Sequence, residues 1–101
     1  MTVYALAQLT ITDRDSYGRY QARFLDVLNR FGGRVLAADE RPSVEEGSWE
    51  HDKVVLLEFP DERAFRTFSD SPEYREIAVD RTAGSHGPVL LIHGIGHAPE
   101  A

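Results

Sequence analysis

Hydrophobic positions change period several times along the chain, and each change marks a new element. Residues 3–11 alternate, with Val3, Ala5, Ala7, Leu9 and Ile11 on one side and Tyr4, Leu6, Gln8 and Thr10 on the other. That period of two predicts a strand. Thr12 or Asp13 ends it and can accept a hydrogen bond from a free N–H of the helix that follows. Over 14–31 the period becomes helical: Tyr17, Tyr20, Phe24, Val27, Leu28 and Phe31 form a stripe, and Arg14, Arg19, Arg23, Asp26 and Arg30 fall mostly off it. Gly32-Gly33 predicts the stop, because glycine enters the left-handed region without a Cβ clash.

A second strand is predicted over 34–39. The polar segment 39–53, with Pro42 and Gly47, reads as an extension of that strand or a loop carrying Trp49. Residues 53–59, Lys-Val-Val-Leu-Leu-Glu-Phe, are a nearly continuous apolar run, as in a strand covered on both faces. Pro60-Asp61 then breaks the strand and caps a helix with Ala64, Phe65 and Phe68 inward. Ser71-Pro72 restarts it, Ser as N-cap and Pro at the first helical position. Gly84 to Pro88 reads as a loop, Val89 to Ile95 as the last strand, and 97–101 as a flexible tail after a single domain over 1–96.

The order β-α-β-β-α-β predicts an α+β ferredoxin-like fold, an antiparallel sheet with helices on one face. The last two strands carry apolar residues on both faces, so something must cover the second face. A partner's identical sheet is the simplest cover, which predicts a homodimer.

Composition narrows the function. The net charge of −6 over 101 residues argues against nonspecific nucleic-acid binding and against docking on anionic membranes. With no cysteine there is no disulfide, thiolate nucleophile or Cys-ligated metal. No apolar run reaches membrane-spanning length and no leader pattern opens the chain, so the cytoplasm is the default compartment. Neither a phosphate loop, a nucleophile elbow nor a dinucleotide fingerprint is present. No cofactor and no metal are expected: His51, His86, His93 and His97 do not share a ligating spacing, and the four-residue step from His93 to His97 is not helical.

The remaining candidates each have a bland reading. His93 is a half-buried strand-end histidine or a general acid/base. Glu58, a carboxylate in an apolar strand, is one side of an ion pair or a base. Trp49 anchors a loop or dimer contact, or walls a cleft. Arg34, Arg75 and Arg81 are ordinary ion-pair partners or anion ligands, and Arg81 is the strongest of the three because it precedes a glycine loop near the last strand. Tyr17 and Tyr20 belong to the apolar stripe but can aim hydroxyls into a helix–sheet cleft.

Several segments in order carry a resemblance: Tyr17-Gly18-Arg19-Tyr20, Phe31-Gly32-Gly33-Arg34-Val35-Leu36, Glu46-Gly47-Ser48-Trp49, Glu58-Phe59-Pro60-Asp61, Ser71-Pro72-Glu73-Tyr74 and Arg81. Together, over roughly 3–95, the chain resembles the family of domain of unknown function 1330, in the dimeric α+β barrel superfamily. The resemblance implies a ferredoxin-like protomer and a barrel made by two sheets, but no reaction. The chain departs from the family pattern at Ala38-Asp39-Glu40, where many members have Arg-Gly, and at Lys53, where an Arg is usual. The function expected is binding of a small organic acid or aromatic compound in the helix–sheet cleft, with Tyr17, Tyr20, Trp49 and Arg81 as ligand-binding residues and His93 and Glu58 as candidate catalytic groups. Two alternatives stay open, a cofactor-independent monooxygenase or isomerase and a structural assembly module.

Overall fold

The structure, a computed structural model, describes residues 1–96. The predicted flexible tail and His97 lie outside them. The elements are β1 (Val3–Ile11), α1 (Arg14–Arg30), β2 (Arg34–Asp39), β3 (Lys53–Phe59), α2 (Glu62–Asp70), α3 (Pro72–Gly84), β4 (Ser85–His86) and β5 (Val89–His93). Local chemistry sets these boundaries. Asp13 caps α1, its carboxylate accepting from the backbone N–H groups of Asp15 (3.0 Å) and Ser16 (3.2 Å). The same bonds hold Asp13 below the ordinary carboxylate range, that from Ser16 most of all. Ser71 ends α2 and opens α3: its hydroxyl donates to the carbonyl of Phe68 (2.7 Å) and accepts from the N–H of Tyr74 (3.0 Å).

The sheet is antiparallel, in the order β2-β3-β1, with β4 and β5 both on the far edge of β1. This is the ferredoxin-like arrangement. Ser85–His86, expected as loop, instead pairs with Ile11 and Thr10 as a short strand. The last strand is broken at Gly87-Pro88, since proline has no N–H to give to the ladder, and the Pro88 carbonyl accepts from Gln8 N (3.0 Å). Gly87 takes φ +144°, and a Cβ there would lie 1.9 Å from the Gln8 carbonyl oxygen. The strand then ends at His93, two residues short of expectation.

Register divides the strands into two faces. Val3, Ala5, Ala7 and Leu9 of β1 stand opposite Phe59, Leu57, Val55 and Lys53 of β3. This inner face packs on Tyr17, Tyr20, Val27 and Leu28 of α1, Phe68 of α2 and Ile77 of α3 to form the core. The outer face carries Tyr4, Leu6, Gln8 and Thr10, with Val54, Leu56 and Glu58 across from them and Leu90 and Ile92 on β5. Among the described residues no helix covers it, and Leu90 and Ile92 remain 46% and 40% exposed.

Candidate functional site

The inner face is covered but not filled. Three of its central positions are alanine, Ala5 and Ala7 on β1 and Ala38 on β2, so the roof of α1 and α3 stands over short side chains. The result is a cavity of about 460 Å³, within the range of small-molecule sites. It opens past Leu25 and Val35, both exposed.

The cavity is amphipathic from end to end. Leu57 pairs with Ala5, and Lys53, four residues earlier, pairs with Leu9. At ~3.3 Å per strand residue these two levels stand about 13 Å apart. The Leu57 end is aromatic and apolar. Phe65 and Phe68 meet the Phe59 ring there at centroid distances of 5.4 and 5.3 Å, and Phe24 packs edge-on to Phe68 at 6.2 Å. The Lys53 end gathers Lys53, Gln21 and Tyr17, and the charge of Arg81, also on the wall, acts on both Tyr17 and its neighbour Tyr20. Lys53 is only 6% exposed. Its ammonium lies 3.4 Å from Gln21 Oε1 and 5.0 Å from the Tyr17 ring centroid, and burial lowers its pKa from the ordinary lysine value. Tyr20 and Tyr74 share a hydrogen bond between hydroxyls at 3.0 Å. Burial pushes both Tyr17 and Tyr20 above the ordinary phenol range, Tyr20 well above it. Arg81, in the last turn of α3, has its Nε buried with no hydrogen-bond partner.

Of the residues singled out from sequence, Tyr17, Tyr20 and Arg81 therefore meet in one cavity. The others stand elsewhere. Trp49 lies over the outer face, its indole N–H donating to Gln8 Oε1 at 2.9 Å, with His51 beside it bonded to Thr10 Oγ1 at 3.0 Å. Glu58 is also on the outer face, where Arg34 holds its carboxylate through Nη2 (2.6 Å) and Nε (2.8 Å). Arg34 is thereby engaged in an ion pair, and Arg75 stands 3.9 Å from Asp70. His93 bonds Glu62 at 3.1 Å at the surface, and that bond is the main cause of Glu62's lowered pKa. Among the described residues no group of three or more His, Asp or Glu could hold a metal, and no helix is long and apolar enough to cross a membrane.

Sequence reasoning missed Lys53, Gln21 and Tyr74 as cavity residues. The signal for Lys53 was available: by strand parity it shares a face with Val55, Leu57 and Phe59, which places its side chain on the buried side.

Comparison with known proteins agrees with this architecture. The model of the family described as domain of unknown function (DUF1330) matches residues 2–95. The chain belongs to that family. A protein of unknown function from Rhodopseudomonas palustris superposes with a TM-score of 0.79 at 20% identity, over 93% of this chain and 82% of that one. SnoaB, a cofactor-independent oxygenase from Streptomyces nogalater, superposes with a TM-score of 0.70 at 17% identity, over 97% of each chain. A dimeric ferredoxin-like protein of unknown function from Jannaschia sp. CCS1 gives 0.64 at 16% identity, over 91% of this chain and 96% of that one. These likenesses establish a shared fold. Among curated proteins, none matches the chain.

Proposed function

We propose that this DUF1330 protein binds a small organic molecule with an aromatic or otherwise flat apolar body in the cavity between its helices and its sheet, and does so as a homodimer. The observation that carries the reading is the cavity itself: about 460 Å³, walled by aromatic and aliphatic side chains with a few polar groups at one end. A domain of 101 residues has little core to spare. A cavity of this size that opens to the surface leaves its apolar wall in contact with water, and a ligand would bury that wall. The dimer rests on the uncovered outer face, with Leu6, Leu56, Leu90 and Ile92 in adjacent strands, and on the description of the Jannaschia relative as dimeric.

Calorimetry and thermal shift with benzoic, naphthoic and phenolic compounds test the reading, against the parent and against Ala7→Phe, which places a ring in the void. Binding to the parent that Ala7→Phe abolishes supports it. Binding unchanged by that substitution removes the site, and no binding to the parent leaves the assembly-module reading in its place.

An enzymatic reading, a cofactor-independent oxygenase or isomerase, draws on the fold shared with SnoaB. Such chemistry needs a group that takes a proton from the bound substrate. His93 and Glu58, the sequence candidates for that role, do not line the cavity, so binding is the reading the geometry favours.

A further inference from the structure

Two cations line the cavity, and among the described residues neither is paired with a carboxylate. No Asp or Glu is among the lining residues. Neither Lys53 nor Arg81 takes part in an ion pair among the described residues, while Arg14, Arg19, Arg23, Arg34, Arg66 and Arg75 all do; Arg30, Arg41 and Arg63 are also unpaired, but those three are exposed to water. Glu40 is the carboxylate whose field reaches Lys53, and it is already bonded to Arg14 at 3.0 Å. In a chain of net charge −6, with acids to spare, two uncompensated cations on the wall of one cavity are an anomaly. A buried charge without a counter-charge is costly, and a buried guanidinium N–H without an acceptor adds the desolvation of that donor.

Resting on the cavity reading above, we infer that the ligand is an amphipathic monocarboxylate, its carboxylate held between Arg81 and Lys53 and its ring system lying toward Phe24, Phe65 and Phe68. Each part of the ligand answers one part of the wall. The carboxylate accepts from Arg81 Nε and neutralises the charge pair, as a charge-assisted bond does best where water is excluded. The aromatic body replaces the void over Ala5 and Ala7. The polar level at Lys53 and the aromatic level at Leu57 are separated by four strand residues. That span suits an acid with a bicyclic or similarly extended body better than a compact one such as acetate. A lysine ammonium is a point charge and a guanidinium a planar fork. Here the fork comes from α3 and the point charge from β3.

The test uses matched pairs that differ only in charge: 1-naphthoate with 1-naphthamide, and benzoate with benzamide, titrated into the full chain at neutral pH. The expected result is that each acid binds the parent at least tenfold more tightly than its amide. Arg81→Met erases most of that preference while leaving amide affinity within about twofold, which also shows that the variant is folded. Lys53→Met reduces the preference by a smaller factor, and Arg81→Lys retains part of it. These magnitudes follow from the roughly two- to threefold greater strength of a charged over a neutral hydrogen bond. If acid and amide bind the parent alike, and Ala7→Phe abolishes both, the anion inference is overturned and the cavity reading stands. If neither acid nor amide binds the parent, both fall.

Discussion

The two faces of one sheet are built on opposite plans. The inner face has a roof of helices and small residues beneath it: Ala5, Ala7 and Ala38. The outer face has no roof and carries Leu6, Leu56, Leu90 and Ile92 at neighbouring positions. At the centre of the sheet, bulk is withheld on the covered face and supplied on the open one. Charge follows the same division. The outer carboxylate, Glu58, is neutralised within the chain by Arg34 at 2.6 Å, whereas the inner cations Lys53 and Arg81 have no ion-pair partner among the described residues. A face with large apolar residues and settled charges is prepared for another protein surface. A face with missing volume and unsettled charge is prepared for a small anionic molecule.

The sharpest way to break this contrast is to place a carboxylate at adjacent residues of β3 that point opposite ways. Leu56→Asp buries an unpaired charge at the centre of the proposed dimer contact, at a cost of several kcal/mol. Light scattering is expected to fall from twice the 11.4 kDa chain mass to the chain mass, with the circular dichroism of a folded domain retained. Leu57→Asp, in the core cluster at 8% exposure, is expected to unfold the chain instead. Both variants behaving alike would show that the faces are not distinct, and a parent that stays monomeric at millimolar concentration would remove the dimer.

A smaller effect separates void from packed core on the inner face itself. Ala7→Leu extends into the cavity and is expected to change the urea unfolding free energy by less than about 1 kcal/mol, in either direction. Insertion of the same bulk into a filled core typically costs about 1–3 kcal/mol. A loss in that range at Ala7 would mean that the void is closed in solution.

Much of this division was legible beforehand, and the illegible part has a physical reason. Strand parity and helical spacing gave α1, β1, β2 and β3 within a residue or so, and Ser71-Pro72 announced the break between α2 and α3, because caps and periods are local properties. The need for a cover on the outer face was legible too, from apolar residues on both sides of β3 and the last strand. The assignment of Trp49 to the cleft was not readable, since the segment from Arg41 to Asp52 has no period that says which face it crosses. Nor was the cavity. Tyr17, Tyr20, Phe24 and Phe68 show the same helical spacing whether they close on a large residue or on an alanine, so core and pocket wall look alike until the opposing strand is in register. Ser85–His86 was missed because two residues are too few to show a period.

Lys53 provides a pH-dependent probe of the inner face. Its folded-state pKa lies below the unfolded value of 10.5. Between the two values the unfolded chain binds more protons, so stability should rise with pH through that window and be lower below it. The raised values of Tyr17 and Tyr20 act oppositely, their share of stability being present below the unfolded value of 10.0 and lost as pH rises through their folded values. The Lys53 contribution is therefore read as pH approaches 10. Lys53→Met is expected to be more stable than the parent at neutral pH and to lose the upward slope. An unchanged slope would mean that the ammonium is not desolvated. Smallest of all, Glu62→Gln, which removes the carboxylate from its exposed pairs with His93 and Arg66, is expected to leave the urea midpoint within experimental error at neutral pH. A clear drop would mark those two contacts together as part of the fold's support rather than surface chemistry.

The central claim, that the ligand site is on the covered face and the protein contact on the open one, is tested most directly by a crystal structure of the chain grown with 1-naphthoate. The account predicts density for the ring beside Phe24 and Phe68 over Ala5 and Ala7, the carboxylate within hydrogen-bond distance of Arg81, and a second copy of the chain seated on Leu56, Leu90 and Ile92. Naphthoate bound beside Trp49 on the outer face, with side chains closed over Ala5 and Ala7, would contradict it.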